Sequence, residues 1–304
     1  MGLVRHGSSL EMLRARVRER ARLLRVTWAL VLALLLGSAM AEDIRFRLVP
    51  REAVETRLRE YSGTNVERGA RLKRMFVDAG CGENVSEQAV RTSKAPNVIC
   101  VLPGSSDRVI IVGAHFDRVP TSDGVADNWS GASLLPSLYE AVKVDARRHT
   151  YLFIGFTDEE LGLVGSRSHA RKMTREQVAA TDAMVNLDTL GLAPTEVWTS
   201  VSDKRLMHAL GRVASYLEMP ISGVNFEGVG STDSESFAIR KIPTITIHSL
   251  TQKSENQGIL HTWKDRLSAM NLDHYYDTYH VVALYLAYLD HVLGETEAAV
   301  TQAP

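Results

Sequence analysis

Between Ile111 and Gly131 an apolar run ends in His115, and Asp117, Asp123 and Asp127 follow within twelve residues. Farther along, Asp158, Glu159 and Glu160 follow a second apolar run, and Asp188 closes a third. Imidazole and carboxylate groups together suit zinc or a similar divalent ion. Gathered in one crevice without cations, such acids would repel one another and raise their own pKa values. One metal with three protein ligands and a water would use only part of this set. The surplus points to two ions sharing a bridging carboxylate, as in hydrolases whose metals lie about 3.5–4 Å apart.

Those groups meet only if the chain brings three strand ends together. Strand-like apolar runs recur at 97–104, 108–115, 150–156, 183–191, 196–200 and 243–248. Several are apolar along their whole length, as strands covered on both faces by helices are. Helical periodicity recurs near 130–146, 163–173, 203–218 and 233–240, with a long final stretch near 272–293. Two more helices are expected within 42–80, where Val54, Leu58, Tyr61, Leu72 and Phe76 fall at helical spacing. The alternation predicts an α/β domain, with a mixed, mostly parallel twisted sheet between helices. Open sheets of this kind bind ligands beyond the carboxyl ends of their strands, where His115, Glu159, Glu160 and Asp188 fall.

Five blocks stand in a telling order: AHFD (114–117), DNWSG (127–131), TDEELGLVGS (157–166), NLDTLG (186–191) and LHTWKD (260–265). From about residue 95 to 290 the chain resembles the co-catalytic zinc aminopeptidases of peptidase family M28. Glutamate carboxypeptidases and, more distantly, glutaminyl cyclases are relatives. The resemblance implies a three-layer α/β/α zinc-exopeptidase fold, two Zn2+ per chain, and hydrolysis of the peptide bond next to a free N-terminus. By matched position, His115 and Asp188 would bind one zinc, Glu160 and His261 the other, and Asp127 both. Glu159 matches the general base, and Asp117 would stand behind His115 to fix its ring tautomer. Asp265 would orient the turn that carries His261.

Plainer roles compete at each position. A single Asp after a strand is more often a cap or turn former, and Asp123 is read that way. Asn128 and Ser130 fit the shaping of a turn, and Asp233 fits either a helix cap or the cleft wall. His169, His208, His274 and His280 fall in helical patterns and read as packing or surface residues. His248 is the rival to His261, which is preferred because His-Thr and a following acid match the family block. Near 228–243, Lys241 stands where the family commonly has glycine. Pocket-forming loops are expected near 192–203, 225–232 and 249–262, with Trp198, Phe226 and Leu260 lending apolar character.

Three other functions compete. A cyclase would work with one zinc, but the Trp that cyclases place before the last His is here Leu260. An inactive binding protein on the same scaffold is disfavoured, since every matched ligand and the base are present. A serine hydrolase or one-zinc protease is excluded by the lack of a GxSxG elbow or an HExxH helix.

The 304 residues carry 35 Lys and Arg against 36 Asp and Glu, a formal charge of −1 that offers no basic surface for nucleic acid. The expected partners are peptides with a free N-terminus. Residues 14–25 are basic, 26–41 are apolar and end in small residues, and together they resemble a secretory signal cleaved after Ala41. The apolar core is shorter than the roughly 20 residues of a spanning helix, so membrane attachment is expected only if the segment is retained. Met12 is an alternative start. The expected organisation is a signal segment (1–41), one catalytic domain (42–295) and a frayed tail (296–304) in a secreted or periplasmic protein. Export favours a disulfide between the only two cysteines, Cys81 and Cys100.

Overall fold

A computed structural model describes residues 44–225, 230–253 and 257–301, with side chains to 293. The expected signal segment and Phe226 lie outside the described residues. In chain order the elements are α1 (Arg51–Arg59), α2 (Asn65–Asp78), β1 (Val85–Gln88), β2 (Asn97–Leu102), β3 (Val109–His115), α3 (Ser130–Val142), β4 (Thr150–Phe156) and α4 (Val164–Lys172). There follow α5 (Arg175–Ala180), β5 (Thr181–Leu187), β6 (Glu196–Trp198), α6 (Lys204–Tyr216), β7 (Ser222–Val224), α7 (Ser234–Ala238), β8 (Thr244–His248) and α8 (Leu272–Thr301). The last helix continues past residue 295, where the sequence pattern suggested a frayed tail.

The strands form one sheet in the order β1-β2-β4-β3-β5-β8-β6-β7. Its middle, β4-β3-β5-β8, is parallel, and antiparallel pairings lie outside it. The mixed, mostly parallel sheet is therefore present as expected. Side chains alternate across the pleat. Ile110, Val112 and Ala114 of β3 enter the larger core with α1, α2, α3, α6 and α8, while Ile111 enters a smaller core with Phe237, Ala170 and Met184. Both faces of β3 are thus dry, which is why its sequence is apolar throughout.

Two strands escaped the sequence reading. β1 is VSEQ, polar and paired on one side, and β7 is SGV at the opposite edge. Each is held by its neighbour and not by a hydrophobic period, so there was no pattern to detect. Cys81 and Cys100 are disulfide-bonded, tying the segment after α2 to β2.

At the sheet end opposite the strand-end acids, His149 is 1% exposed and faces a carboxylate at each ring nitrogen. Nδ1 lies 2.9 Å from Asp290 and Nε2 lies 3.0 Å from Asp182, which also pairs with Arg108. A ring with two acceptors is served best as imidazolium, whose two nitrogens both donate. Burial works against the charge, yet the hydrogen bonds to Asp182 and Asp290 prevail and raise the His149 pKa above 6.5. The carboxyls of Asp182 and Asp290 are lowered despite burial, chiefly by His149. Raised histidine stability is fully present below pH 6.5 and is lost as pH rises through the folded pKa. Lowered carboxylate stability is present above pH 3.8 and is lost as pH falls through the folded values. The network should therefore stabilise most between these limits. In denaturant titrations, His149→Gln should be most destabilised relative to wild type near pH 5–6, and the gap should narrow under alkaline conditions. A pH-independent gap would show that the ring acts only by packing.

Candidate metal centre and active site

The parallel core delivers its strand ends to one edge. His115 is the last residue of β3, Glu159 and Glu160 lie just beyond β4, and Asp188 follows β5. Asp127 comes from the turn before α3, and His261 from the segment ahead of α8. Asp127 stands between the histidines. Its Oδ1 is 3.3 Å from His115 Nε2 and its Oδ2 is 3.2 Å from His261 Nε2. His115 Nε2 also lies 3.6 Å from Asp188 and 3.9 Å from Glu159. Glu160 is 3.0 Å from His261 Nε2. Two groups result, His115–Glu159–Asp188 and Asp127–Glu160–His261, each with ligand atoms mutually within 4.8 Å. All six residues named from the sequence as ligands or base are brought together; His248 is not in either group.

The turn carrying Asp127 is built for close approach. Gly124 has φ +59°, a conformation that costs glycine little. A Cβ on Gly131 would stand 2.6 Å from both Asn128 Oδ1 and Leu187 O, so only glycine lets this turn close on the end of β5. Asn128 completes that junction by donating to Leu187 O and accepting from Gly131 N and Thr189 N. Thus Asn128 shapes the turn. Asp123 is exposed and outside the cluster, in keeping with a turn former.

Asp117 does more than stand behind His115. Its oxygens accept from Glu159 N at 3.0 Å and Glu160 N at 3.2 Å, and Oδ1 lies 3.4 Å from His115 Nδ1. One carboxylate therefore positions three of the six clustered residues. Asp265 is wholly buried and accepts from Val125 N, Ala126 N and Asp127 N at 2.7–3.2 Å, with Ser122 Oγ donating as well. It binds the His261 turn to the Asp127 turn, and Thr121 adds a hydrogen bond to His261 O.

Two positioning groups, Thr232 and Arg68, went unread in the sequence. Thr232 Oγ1 donates to Asp188 Oδ2 at 2.6 Å and accepts from Asn186 Nδ2. Arg68 of α2 is fully buried and donates to the carbonyls of Phe116, Tyr61, Asp123 and Gly124. Its guanidinium lies 5.0 Å from the Trp129 ring centroid, and burial foremost lowers its pKa to about 9. A signal for Arg68 existed: with Leu72 and Phe76 it shares an i, i+4, i+8 stripe that is otherwise buried. Asp233, 1% exposed, makes no helix-cap bond; burial foremost raises its carboxyl to about 7, with Asp188 and Asp117 adding to the rise.

Without cations, this cluster is electrostatically conflicted. Burial foremost raises Glu159 to about 10, and Asp233, Asp188 and Asp127 add to that rise while His115 opposes it. Glu160 is also raised, by burial first. His261 is raised to about 10 by Asp127 and Glu160, and His115 is raised well above 6.5 although burial opposes it. Glu160 Oε1 is buried without a hydrogen-bond partner among the described residues. Four carboxylates and two imidazoles, an orphaned carboxylate oxygen and a shared Asp127 fit two divalent cations. Backbone conformation marks the same place. Asp158, Thr189 and His261 have positive φ, and strain of about 1–3 kcal/mol per such residue is typical where a site over-determines the chain.

These groups wall a pocket of about 280 Å³ with Trp198, Thr246, His248, Leu250 and Leu260. The three loops expected to form a pocket each contribute to it. His248 Nδ1 accepts from Leu250 N, and burial foremost lowers its pKa to about 4, so it is a neutral wall residue.

The sequence profile of Peptidase family M28 matches residues 97–286. Among curated proteins, the chain is 32% identical over 95 residues to aminopeptidase YwaD of Bacillus subtilis, covering 31% of this chain and 20% of that protein. It is 31% identical over 122 residues to the probable lipoprotein aminopeptidase LpqL of Mycobacterium tuberculosis, covering 39% and 24% of the two. The matched part thus spans a quarter or less of either relative. Among solved structures, LapA of Legionella pneumophila superposes with TM-score 0.71 at 21% identity, covering 80% of this chain and 73% of that one. A glutaminyl cyclase from an Acidobacteriales bacterium superposes with TM-score 0.69 at 17% identity, covering 84% and 99%. At these identities the likeness establishes the fold.

Proposed function

The chain belongs to peptidase family M28, and from that premise we propose that it is a two-zinc aminopeptidase acting on peptides with a free N-terminus. The observation that carries this reading is Asp127, whose two oxygens each face a different histidine across two neighbouring ligand groups. In this reading His115 and Asp188 hold one ion, Glu160 and His261 hold the other, and Asp127 serves both. Bound there, zinc supplies Lewis acidity toward a carbonyl oxygen and toward water.

The residues of the chain supply the rest. Glu159, 11% exposed, takes a proton from the attacking water and passes it to the departing amine. Asp117 keeps that carboxylate in place through the amides of Glu159 and Glu160. A free α-ammonium is drawn toward a pocket walled by Asp127, Glu159, Glu160 and Asp188. Thr246 and His248, 1% and 4% exposed, belong to the buried part of that wall.

The deciding assay is a panel of aminoacyl amides, dipeptides and a glutaminyl peptide, run with counted zinc and with chelator. Release of free amino acids by protein holding two zinc ions, abolished by chelation, is the expected result. Pyroglutamate formation with one zinc would replace this reading by a cyclase.

We also propose that the enzyme is exported. The basic, apolar and small-residue order of the first 41 residues and the Cys81–Cys100 disulfide support this placement. A mature N-terminus at Glu42 is the expected outcome of terminal sequencing, and an intact N-terminus would argue for retention of the segment.

A further inference from the structure

The pocket wall runs from buried to exposed side chains. Thr246 and His248 are 1% and 4% exposed, whereas the His261 side chain is 60% exposed. Large apolar side chains stand in water on the segments that carry Glu160 and His261. Leu161 is 75% exposed and directly follows Glu160; Trp263 is 66% exposed and lies two residues after His261. Glu160 and His261 are 3.0 Å apart, so the short segments bearing Leu161 and Trp263 meet at this point. The indole is held by Arg266, whose guanidinium lies 4.6 Å from the ring centroid. Exposed apolar side chains on segments that border a site offer a contact surface, and Trp side chains are common anchors in such surfaces.

Resting on the aminopeptidase reading, we propose that Leu161 and Trp263 form the platform for the substrate residue just after the scissile bond. They select peptides whose second residue is large and apolar. In this proposal the first residue lies against the buried wall of Thr246 and His248, so the chain leaves past the exposed His261 and its second side chain reaches Leu161 and Trp263. A peptide with glycine second makes no use of the platform, and one with phenylalanine or leucine second covers both exposed side chains.

The test uses the zinc-loaded full-length protein and two dipeptide amides that share the first residue preferred in the panel above. One has phenylalanine second and the other has glycine. Wild type should favour phenylalanine by roughly tenfold in kcat/KM, the usual scale for one apolar subsite, with the difference mainly in KM. Trp263→Ala should bring that ratio near one, Leu161→Ala should lower it part of the way, and Trp263→Phe should retain most of it. A purely structural role for Trp263 would slow both substrates equally and leave the ratio intact. That outcome, or a wild-type ratio of one, overturns the platform. Failure of wild type to release any first residue overturns the aminopeptidase reading, and the platform falls with it.

Discussion

On the two-zinc reading proposed above, Glu159→Gln should retain both ions and lose turnover by about 10²- to 10⁴-fold, the usual contribution of a positioned general base. The exchange preserves shape and the two backbone amides bound by Asp117 but removes the ability to accept a proton. Zinc counting matters because Glu159 lies close enough to His115 and Asp188 to share a ligand group with them. If Glu159 is instead a ligand, the variant should lose one ion together with its activity. A zinc-replete variant as active as wild type would remove Glu159 from the reaction altogether. The two readouts therefore separate base, ligand and bystander.

Asp265→Ala should be the most destabilising change near the site. It strips the acceptor from three buried backbone N–H groups and a hydroxyl. An unsatisfied buried donor costs about 1–3 kcal/mol, so a loss of several kcal/mol is expected in denaturant titrations. The freed turn carries Asp127, so zinc content and activity should fall as well. Asp265→Asn keeps one carbonyl acceptor and should lie between. A zinc-replete alanine variant with the melting temperature of wild type would show that the turn holds itself.

The parts of this protein most legible in its sequence are those whose surroundings leave little freedom. β3, β4 and β5 are covered on both faces, and their unbroken apolar runs gave them away. The ligand candidates stood out because a histidine and several acids fell together directly after such runs, and the family resemblance then favoured His261 over His248. Other features depended on partners distant in the chain. Asp117 was expected to serve His115 alone, yet its two backbone bonds reach the loop after β4. Thr232 sits beside Asp233, the more conspicuous residue, but makes the contact to Asp188. Lys241 departed from the family's glycine, and it has φ +62°, the left-handed conformation that glycine adopts more cheaply. Short edge strands leave no periodic trace.

The family match and the contacts that hold the site draw different boundaries on this chain. The family match begins at residue 97. The guanidinium that threads between the carbonyls of Phe116, Asp123 and Gly124 comes from Arg68, upstream of that line. The disulfide straddles the line, with Cys81 before it and Cys100 after it. The family-matched region thus borrows a structural pin from helices that lie outside the match. Those helices are part of what makes the loop between His115 and Asp127 a fixed object, so the structure that holds the site begins well before the family match does.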